Sequence, residues 1–350
     1  MRFSRLRLNR TLLLRQYLLE RVAMEPGAMV DHLVGLQAQE PLPPYLSLAA
    51  RLTELDPWAV SRAIEDRSLV RVLSLRDTVH LHLPADAVTL PVWAAPVRER
   101  EIRASQTIGS AREVDRAAFS AAVHEILADG PLPQRRLGAA LAERFPAYTA
   151  TQLGQVARVA EVLAQLPPRG CWKPTGSTAV AYDLAERWTG LPLTAPDVPT
   201  LVRRFLRAYG PGTAADVTAW SGITRLGPVV KAMPDLVVHE DENGKPLYDL
   251  ADAPVADEDA PAPVRLFGTY DNLWLSHASR DRVMAPEHRR LWMGVNGAQA
   301  MSVHVDGWFA GLWRVEDGRV VVVELVRELS RAERAGLDEE IGRVEALLAR

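Results

Sequence analysis

The chain has 350 residues, of which 48% are hydrophobic and 24% charged, and a formal net charge of −3 at pH 7. This composition is typical of a globular protein with material for roughly two or three domains. It excludes a transmembrane helix, because no run of about twenty uncharged apolar residues occurs. The single cysteine, Cys171, excludes an internal disulfide and favours a reducing, cytoplasmic location.

The positive charge comes almost entirely from arginine and is unevenly distributed. Six arginines lie within the first 21 residues, whereas the Pro/Ala-rich segment 251–260 is acidic. Local clusters of charge, rather than the net charge, determine contact with a phosphate backbone. Nucleic-acid binding is therefore compatible with the slightly negative total.

The first predicted unit begins with helical periodicity over residues 8–22, 27–36 and 57–66. The stretch LVRVLSLRDTVHLHLP then predicts two strands around a turn at residues 74–77. Between the helices lies GLQAQEP, residues 35–41. Its glycine is a typical helix stop and its proline disfavours a helical conformation at the preceding residue, so we expect residues 36–40 to be extended.

In an extended segment alternate side chains share a face, so we expect Gln37 and Gln39 to point together and Glu40 to point away. Carboxamides offer hydrogen-bond donors and acceptors without charge. The pair could bind a base edge, as glutamine binds adenine, could orient a water molecule, or could hydrogen-bond loop backbone after a helix. The residues alone leave these alternatives open.

A similar helical unit recurs twice farther along the chain. Residues 117–143 and 200–220 each predict two helices separated by a break, at Gly130-Pro131 and Gly210-Pro211. A third helical stretch and a hairpin follow each pair, and the later hairpin turns at Asn243-Gly244. Three helices followed by a hairpin are typical of a winged helix.

The C-terminal region contains alternating strands around two turns, Asp306-Gly307 and Asp317-Gly318, and a final helix over residues 330–348 that begins with the capping-box pair Ser330 and Glu333. The sequence predicts an α+β fold, mainly α, with three tandem winged-helix units, a C-terminal β-hairpin region and a terminal helix. The predicted domains are residues 1–110, which include the glutamine loop, then 111–195, 196–255 and 256–350.

Tandem winged helices without a dimerisation coiled coil favour a monomer that contacts one DNA duplex. Winged helices also mediate protein–protein contacts, so a scaffold is an alternative, as is a non-enzymatic DNA-binding regulator. We expect no cofactor, because the sequence has no phosphate-binding glycine loop, GxSxG elbow or HExxH motif. His80 and His82 can share a strand face, but no further ligands occur at standard spacing, so no metal site is predicted.

Five segments, in the expected order along the chain, resemble the AlkZ/YcaQ superfamily of winged-helix DNA glycosylases. They read LQAQEP, RDTVHLHLPAD, LRAYGPGTAADVTAWSGI, LFGTYDNLWLSHASRDRVMAPEHRR and VHVDGWFAGLWRVEDGRV. In that family a Gln-apolar-Gln motif, or Gln-apolar-Asp in the YcaQ branch, lies in the active site. Gln37, Ala38 and Gln39 match the AlkZ-type version, so the resemblance implies that Gln37 and Gln39 are catalytic.

The resemblance also implies a substrate and a reaction. The expected enzyme is a monofunctional glycosylase that hydrolyses the N-glycosidic bond of N7-alkylated guanine in duplex DNA, including bulky adducts and interstrand crosslinks, with a role in self-resistance to a genotoxic natural product. N7 alkylation makes the base cationic, so its departure needs no acid, and positioning a water is enough. We expect Gln37 and Gln39 to hold that water, with their carboxamide oxygens partly stabilising the developing positive charge. Glu40 is the alternative base.

Six residues of the C-terminal region are predicted to contact DNA: Arg280, Arg282, Arg289, Arg290, His304 and Trp308. The last two belong to the hairpin around Asp306-Gly307. Alternatively, Asp281 and Glu287 neutralise the arginines in surface ion pairs, which contribute little. The third unit's hairpin carries three consecutive acidic residues, 240–242, and is expected to be a poor DNA contact.

Overall fold

The computed structural model describes residues 1–174, 178–294 and 299–350. The helices are α1 (Arg5–Arg15), α2 (Pro26–His32), α3 (Pro43–Arg51), α4 (Pro57–Glu65), α5 (Pro84–Trp93), α6 (Ala95–Ala104), α7 (Arg116–Ala128), α8 (Gln134–Arg144), α9 (Ala150–Ala160), α10 (Ala185–Thr189), α11 (Val198–Tyr209), α12 (Ala214–Ser221), α13 (Gly227–Lys231), α14 (Asn272–Leu275), α15 (Arg289–Trp292) and α16 (Arg331–Ala349). The strands are β1 (Arg2–Phe3), β2 (Leu36–Gln37), β3 (Val70–Leu73), β4 (Val79–His82), β5 (Leu132–Pro133), β6 (Leu163–Gln165), β7 (Ala181–Leu184), β8 (Leu236–Asp241), β9 (Pro246–Leu250), β10 (Arg265–Phe267), β11 (Met301–Val305), β12 (Trp308–Glu316) and β13 (Arg319–Leu325). The fold is mixed α+β, as predicted.

The first two helices are shorter than predicted. α1 ends at Arg15 rather than at residue 22, because Tyr17 adopts a φ of 55°, which a right-handed helix cannot contain. α2 ends at His32, and Val34 and Gly35 then reverse the chain direction with φ of 52° and 97°. The chain is therefore already extended when it reaches the two glutamines.

The helices that were not predicted include α3, α5 and α6. Each has a proline in its first turn, at Pro43, Pro84 and Pro96. Proline is compatible with this position because the first amides of a helix have no intrahelical acceptor. These prolines therefore mark helix starts.

The hairpins of the first and second units form one sheet. Its strand order is β2-β4-β3-β6-β7-β5, so β3 lies between β4 and β6, with Val72 beside both His80 and Ala164. The short strand β2 pairs antiparallel with β4 at one edge, and Gln37 lies opposite His80. The glutamine segment is thus an edge strand of this shared sheet.

The third unit and the C-terminal region form the other two sheets of the described chain. β8 and β9 pair around Gly244, and β1 adds to β8 in parallel. β10, β11, β12 and β13 form an antiparallel sheet that turns at Gly307 and Gly318, and α16 begins with the Ser330–Glu333 capping box. The predicted turns and the terminal helix are confirmed, whereas the assignment of the helix–hairpin units as winged helices stays a prediction.

The core runs continuously through all of these units. Its largest fully buried side chains include Trp274 and Trp292, whose rings stack 4.3 Å apart, and Phe205 on α11. Within the described ranges, no helix is both long and apolar enough to cross a bilayer.

Candidate active site

The main chain of the Gln37-Ala38-Gln39 segment is held from several sides. The Ala38 amide donates to the Val79 carbonyl at 2.7 Å, and Arg71 Nη2 donates to the Ala38 carbonyl at 2.8 Å. From the C-terminal region, Asn272 Nδ2 donates to the Gly35 carbonyl at 2.9 Å. Residues far apart in the sequence therefore fix the backbone between and before the two glutamines.

Gly35 is required at its position for two reasons. Its φ of 97° is unfavourable for any residue with a side chain. A Cβ built on it would lie 2.3 Å from the His82 imidazole, which occupies the space above the glycine. The glycine therefore allows β2 to pack directly against β4.

The Gln37 side chain is buried, with 6% of its surface exposed. Its Oε1 accepts a hydrogen bond from Arg76 Nη2 at 2.9 Å, and the same Nη2 donates to His80 Nε2 at 3.0 Å. Because a guanidinium carries only donors, the carboxamide oxygen must be the end that faces Arg76. The orientation of Gln37 follows from this chemistry.

Gln39 is exposed, and its orientation is fixed in the same manner. Its Oε1 accepts a hydrogen bond from the Val79 amide at 3.2 Å. Both carboxamides thus bond to one end of the β3–β4 hairpin, at residues 76–79. Among the described residues neither NH₂ group has a hydrogen-bond partner, and each oxygen keeps a second lone pair.

His80 and His82 lie beneath this edge and are neutral. Their rings stack with centroids 5.4 Å apart, and burial lowers the pKa of His82 to about 4 and that of His80 well below its ordinary value. His80 Nδ1 donates to the Thr78 carbonyl at 2.9 Å, and His82 Nε2 is hydrogen-bonded to Ser74 Oγ at 2.9 Å. In the described part of the chain no three His, Cys, Asp or Glu residues could together hold a metal ion.

Two arginines near the glutamines lack carboxylate partners within the described ranges. Burial lowers the pKa of both Arg71 and Arg76 to about 10, and the neighbouring Arg169 and Arg280 add to the effect. Sequence reasoning missed both residues. For Arg71 the available signal was a charged residue inside an otherwise apolar strand, since a buried charge needs a specific purpose.

Two acidic residues flank the site but do not contact the glutamine network. Glu40 is exposed. Burial of Tyr270 is the main cause that raises the pKa of its hydroxyl group, and the negative charge of Glu40 is the second cause. Asp77 follows Arg76, and burial raises its pKa to about 6 although Arg158 opposes this. The sequence interpretation did not include Asp77.

The four arginines predicted to contact DNA differ in availability. Arg289 and Arg290 are exposed on α15, whereas Arg280 and Arg282 are partly buried. Arg280 Nη1 donates to the carbonyls of residues 277 and 278, and Arg282 Nη1 donates to that of Pro211 at 2.8 Å. Within the described ranges none of the four forms an ion pair, so the alternative of neutralisation by Asp281 and Glu287 is not supported.

On the β11–β12 hairpin, the prediction for His304 is wrong. This side chain is 1% exposed and packs against Phe267 and Trp274, with ring centroids at 4.8 and 5.0 Å. Burial lowers its pKa to about 3. Residues 302–305 are all buried, so neither face of β11 is open to solvent around His304. Trp308 is partly exposed, with the Arg5 guanidinium 4.7 Å from its ring centroid.

The sequence model of the AlkZ-like DNA glycosylases matches residues 30–347. The chain belongs to the AlkZ-like DNA glycosylase family. It is therefore a DNA glycosylase, in agreement with the resemblance in the sequence, and the alternatives of a regulator and a scaffold are set aside.

The chain also resembles one protein in sequence and one solved structure in fold. An interstrand DNA cross-link repair glycosylase of Streptomyces sahachiroi is 27% identical over 335 residues, covering 88% of this chain and 87% of that protein. The solved structure of the Streptomyces sahachiroi DNA glycosylase AlkZ matches with a TM-score of 0.85 and 24% identity, over 100% of this chain and 98% of that chain. The structural likeness concerns the fold.

Proposed function

We propose that this glycosylase hydrolyses the N-glycosidic bond of N7-alkylated guanine in duplex DNA, and that Gln37 and Gln39 position the attacking water. The observation that carries the proposal is the pair of carboxamides with chemically fixed orientations at one end of the β3–β4 hairpin. Their oxygens accept from Arg76 Nη2 and the Val79 amide. Two uncharged groups are thereby held in defined orientations at the candidate site.

Uncharged groups suit a substrate that supplies the charge. A base alkylated at N7 is cationic and leaves as a neutral molecule, so the reaction passes through an oxocarbenium-like sugar that water attacks readily. The second lone pair of each carboxamide oxygen can accept a hydrogen bond from that water and hold it beside C1′. As the water oxygen bonds to C1′ and the neutral base departs, the proton that the water loses passes to solvent. Because Arg76 already donates to Gln37 Oε1, this oxygen contributes more by positioning the water than by stabilising the cationic sugar.

The substrate class extends to larger lesions. The Streptomyces relative is named for interstrand cross-link repair, and we propose cross-linked and bulky N7 adducts as substrates here as well. Arg71, which has no carboxylate partner among the described residues, adds positive charge that favours the approach of a polyanion. Three helix–hairpin units in one chain are consistent with winged helices acting as a monomer on one duplex. Cross-linked and bulky N7 adducts as substrates suggest a role in self-protection against a DNA-alkylating natural product.

The decisive experiment measures base release from duplex DNA containing N7-methylguanine under single-turnover conditions. We expect Gln37→Ala and Gln39→Ala each to slow release by about 10²-fold, which is the rate loss that misplacing a reacting group can cause. DNA affinity should be retained. Gln155→Ala is the matched control, because Gln155 Oε1 also accepts from an arginine, Arg158 Nε at 2.9 Å, but lies outside the site.

Two results would contradict the proposal. Undiminished release by both glutamine variants would remove the water-positioning role while leaving the enzyme a glycosylase. Efficient release of a neutral base such as uracil by the wild type would contradict the dependence on a cationic leaving group. If N7-methylguanine is not released, the same comparison with a cross-linked duplex tests the larger substrate class.

A further inference from the structure

Arg76 lies at the turn between β3 and β4 and contacts three acceptors from three parts of the fold. Its Nη2 donates to Gln37 Oε1 at 2.9 Å and to His80 Nε2 at 3.0 Å, and its Nη1 donates to the Trp220 carbonyl. All three acceptors are uncharged. Within the described ranges no carboxylate pairs with this guanidinium, so a surface ion pair does not explain its position.

The backbone at Arg76 is held in an unusual conformation. Its φ is 56°, in the left-handed region that side chains other than glycine rarely adopt. The chain after α12 packs directly against it, since a Cβ built on Gly222 would lie 3.1 Å from Arg76 Cα. The surrounding structure therefore fixes where this long side chain starts as well as where it ends.

The contact with Arg76 determines which end of the Gln37 carboxamide, the oxygen or the NH₂ group, faces the guanidinium. The terminal torsion of a glutamine is broad and roughly two-fold, so its oxygen and NH₂ ends can exchange at little cost. A guanidinium accepts nothing, so only the oxygen can face Arg76. A charged donor also makes the hydrogen bond about twice as strong as a neutral one, and it polarises the carboxamide.

We propose that Arg76 is a positioning residue that acts on base release only through the Gln37 carboxamide. The inference rests on the proposed function, because it gives Arg76 a task at that site. His80 supports the same arrangement: its Nδ1 donates to the Thr78 carbonyl, which leaves Nε2 as an acceptor for Arg76. Arg76, Gln37 and His80 thus form one network with a single compatible set of donors and acceptors.

The test is a double-mutant cycle between Arg76→Met and Gln37→Ala, followed by single-turnover release of N7-methylguanine. Methionine keeps an unbranched stem and the same left-handed backbone requirement but removes the donors. We expect Arg76→Met to slow release about ten- to a hundredfold, the scale of losing a partner that orients a reacting group, with unchanged DNA affinity. In the Gln37→Ala background the same change should have no further effect.

Arg100→Met is the control variant. Arg100 Nη2 donates to the Gly222 carbonyl at 2.9 Å, close in sequence to the Trp220 carbonyl that Arg76 contacts, but it does not touch Gln37. We expect it to leave release unchanged. Arg76→Ala should regain part of its activity when guanidinium ion is added, and only while Gln37 is present. This rescue provides a second test if Arg76→Met folds poorly. If guanidinium merely filled the space left by the arginine side chain, the gain in activity would not depend on Gln37.

Three outcomes would overturn the inference. Equal losses from Arg76→Met in the wild-type and Gln37→Ala backgrounds would mean that Arg76 acts independently of the glutamine. Weaker DNA binding with a shallower salt dependence would identify Arg76 as a phosphate contact instead. If Arg76→Met is fully active while Gln37→Ala is inactive, Arg76 has no positioning role, and the role of Gln37 is unaffected. If Gln37→Ala is itself fully active, the result contradicts the proposed water-positioning role, on which the role of Arg76 depends.

Discussion

Arg51 and Asp271 form a buried ion pair in which Nη1 donates to Oδ2 and Nη2 to Oδ1, each at 2.8 Å. Their side chains are 0% and 1% exposed. Arg51 ends α3, the helix that follows the glutamine segment, and Asp271 caps α14. The next residue, Asn272, donates to the Gly35 carbonyl. The ion pair and the Asn272 hydrogen bond together connect the chain on both sides of the candidate site to the C-terminal region.

We predict that breaking this pair destabilises the protein strongly. Arg51→Met leaves the Asp271 carboxylate buried without its partner, which costs about 3–5 kcal/mol of unfolding free energy. Urea denaturation measures the change. The control is Arg62→Met, which breaks the exposed Arg62–Asp56 pair and should cost about 0–1 kcal/mol. Similar losses in the two variants would show that burial does not determine the contribution of Arg51.

Gly35→Ala should lower the unfolding free energy more than the same substitution at a glycine that also has a positive φ but has free space around its Cα. At Gly190, φ is 71° and a Cβ would have no neighbour within 4 Å, so Gly190→Ala adds only the left-handed strain of about 1–2 kcal/mol. At Gly35 the collision with His82 adds about 1–3 kcal/mol and displaces β2. Denaturation and base release should both report the difference, and equal destabilisation would show that the imidazole moves aside freely.

Asp77 gives a pH-dependent prediction. Burial raises its pKa from 3.8 to about 6, with Arg158 and Arg98 opposing and Glu101 reinforcing the shift. Among the described residues its Oδ1 has no hydrogen-bond partner. A carboxyl group with a raised folded pKa contributes stability below its unfolded pKa and loses it as pH rises through the folded value. At pH 8 the ionised group therefore destabilises the fold.

Asp77→Asn should accordingly raise the unfolding free energy at pH 8 by about 1–2 kcal/mol, after a discount for the exposed part of the side chain, and change it little near pH 4. Asparagine tolerates the φ of 57° at this position. A series of urea denaturations across this pH range provides the measurement. A gain of the same size at both pH values would attribute the effect to something other than ionisation.

The exposed arginines of α15 should contribute to DNA affinity through phosphates. Each phosphate contact adds about 0.9 to the slope of log Kobs against log salt concentration. We expect Arg289→Gln combined with Arg290→Gln to reduce this slope by about 1 to 2 and to weaken binding regardless of sequence. Arg314→Gln is the control, since Arg314 is exposed but pairs with Glu316 at 3.0 Å. An unchanged slope in the double variant would exclude α15 from the interface.

The elements that local chemistry defines were predictable from the sequence. Asn243-Gly244, Asp306-Gly307 and Asp317-Gly318 each place glycine where the turn needs a positive φ. The helix breaks at Gly130-Pro131 and Gly210-Pro211 were equally clear. The end of α1 was not, because Tyr17 adopts its positive φ in a stretch with neither glycine nor proline.

The two glutamines were named as candidates from the sequence, but the residues that orient them were not. Arg76 lies 39 positions from Gln37, and Asn272 lies 237 from Gly35. Neither spacing follows a helical or strand period, so no pattern in one sequence can join them. The error at His304 has a related cause, because alternation along β11 does not indicate that both of its faces are covered by distant segments.

The parallel pairing of β1 with β8 places Arg2 beside Glu240 and Phe3 beside Asp241. During synthesis, residues 2 and 3 leave the ribosome long before their partner strand exists. At about 5–20 residues per second the interval is on the order of tens of seconds. Phe3, which is 0% exposed in the finished protein, has no partner strand throughout that time. The burial of Phe3 and the pairing of β1 are therefore completed only after the third unit has been synthesised.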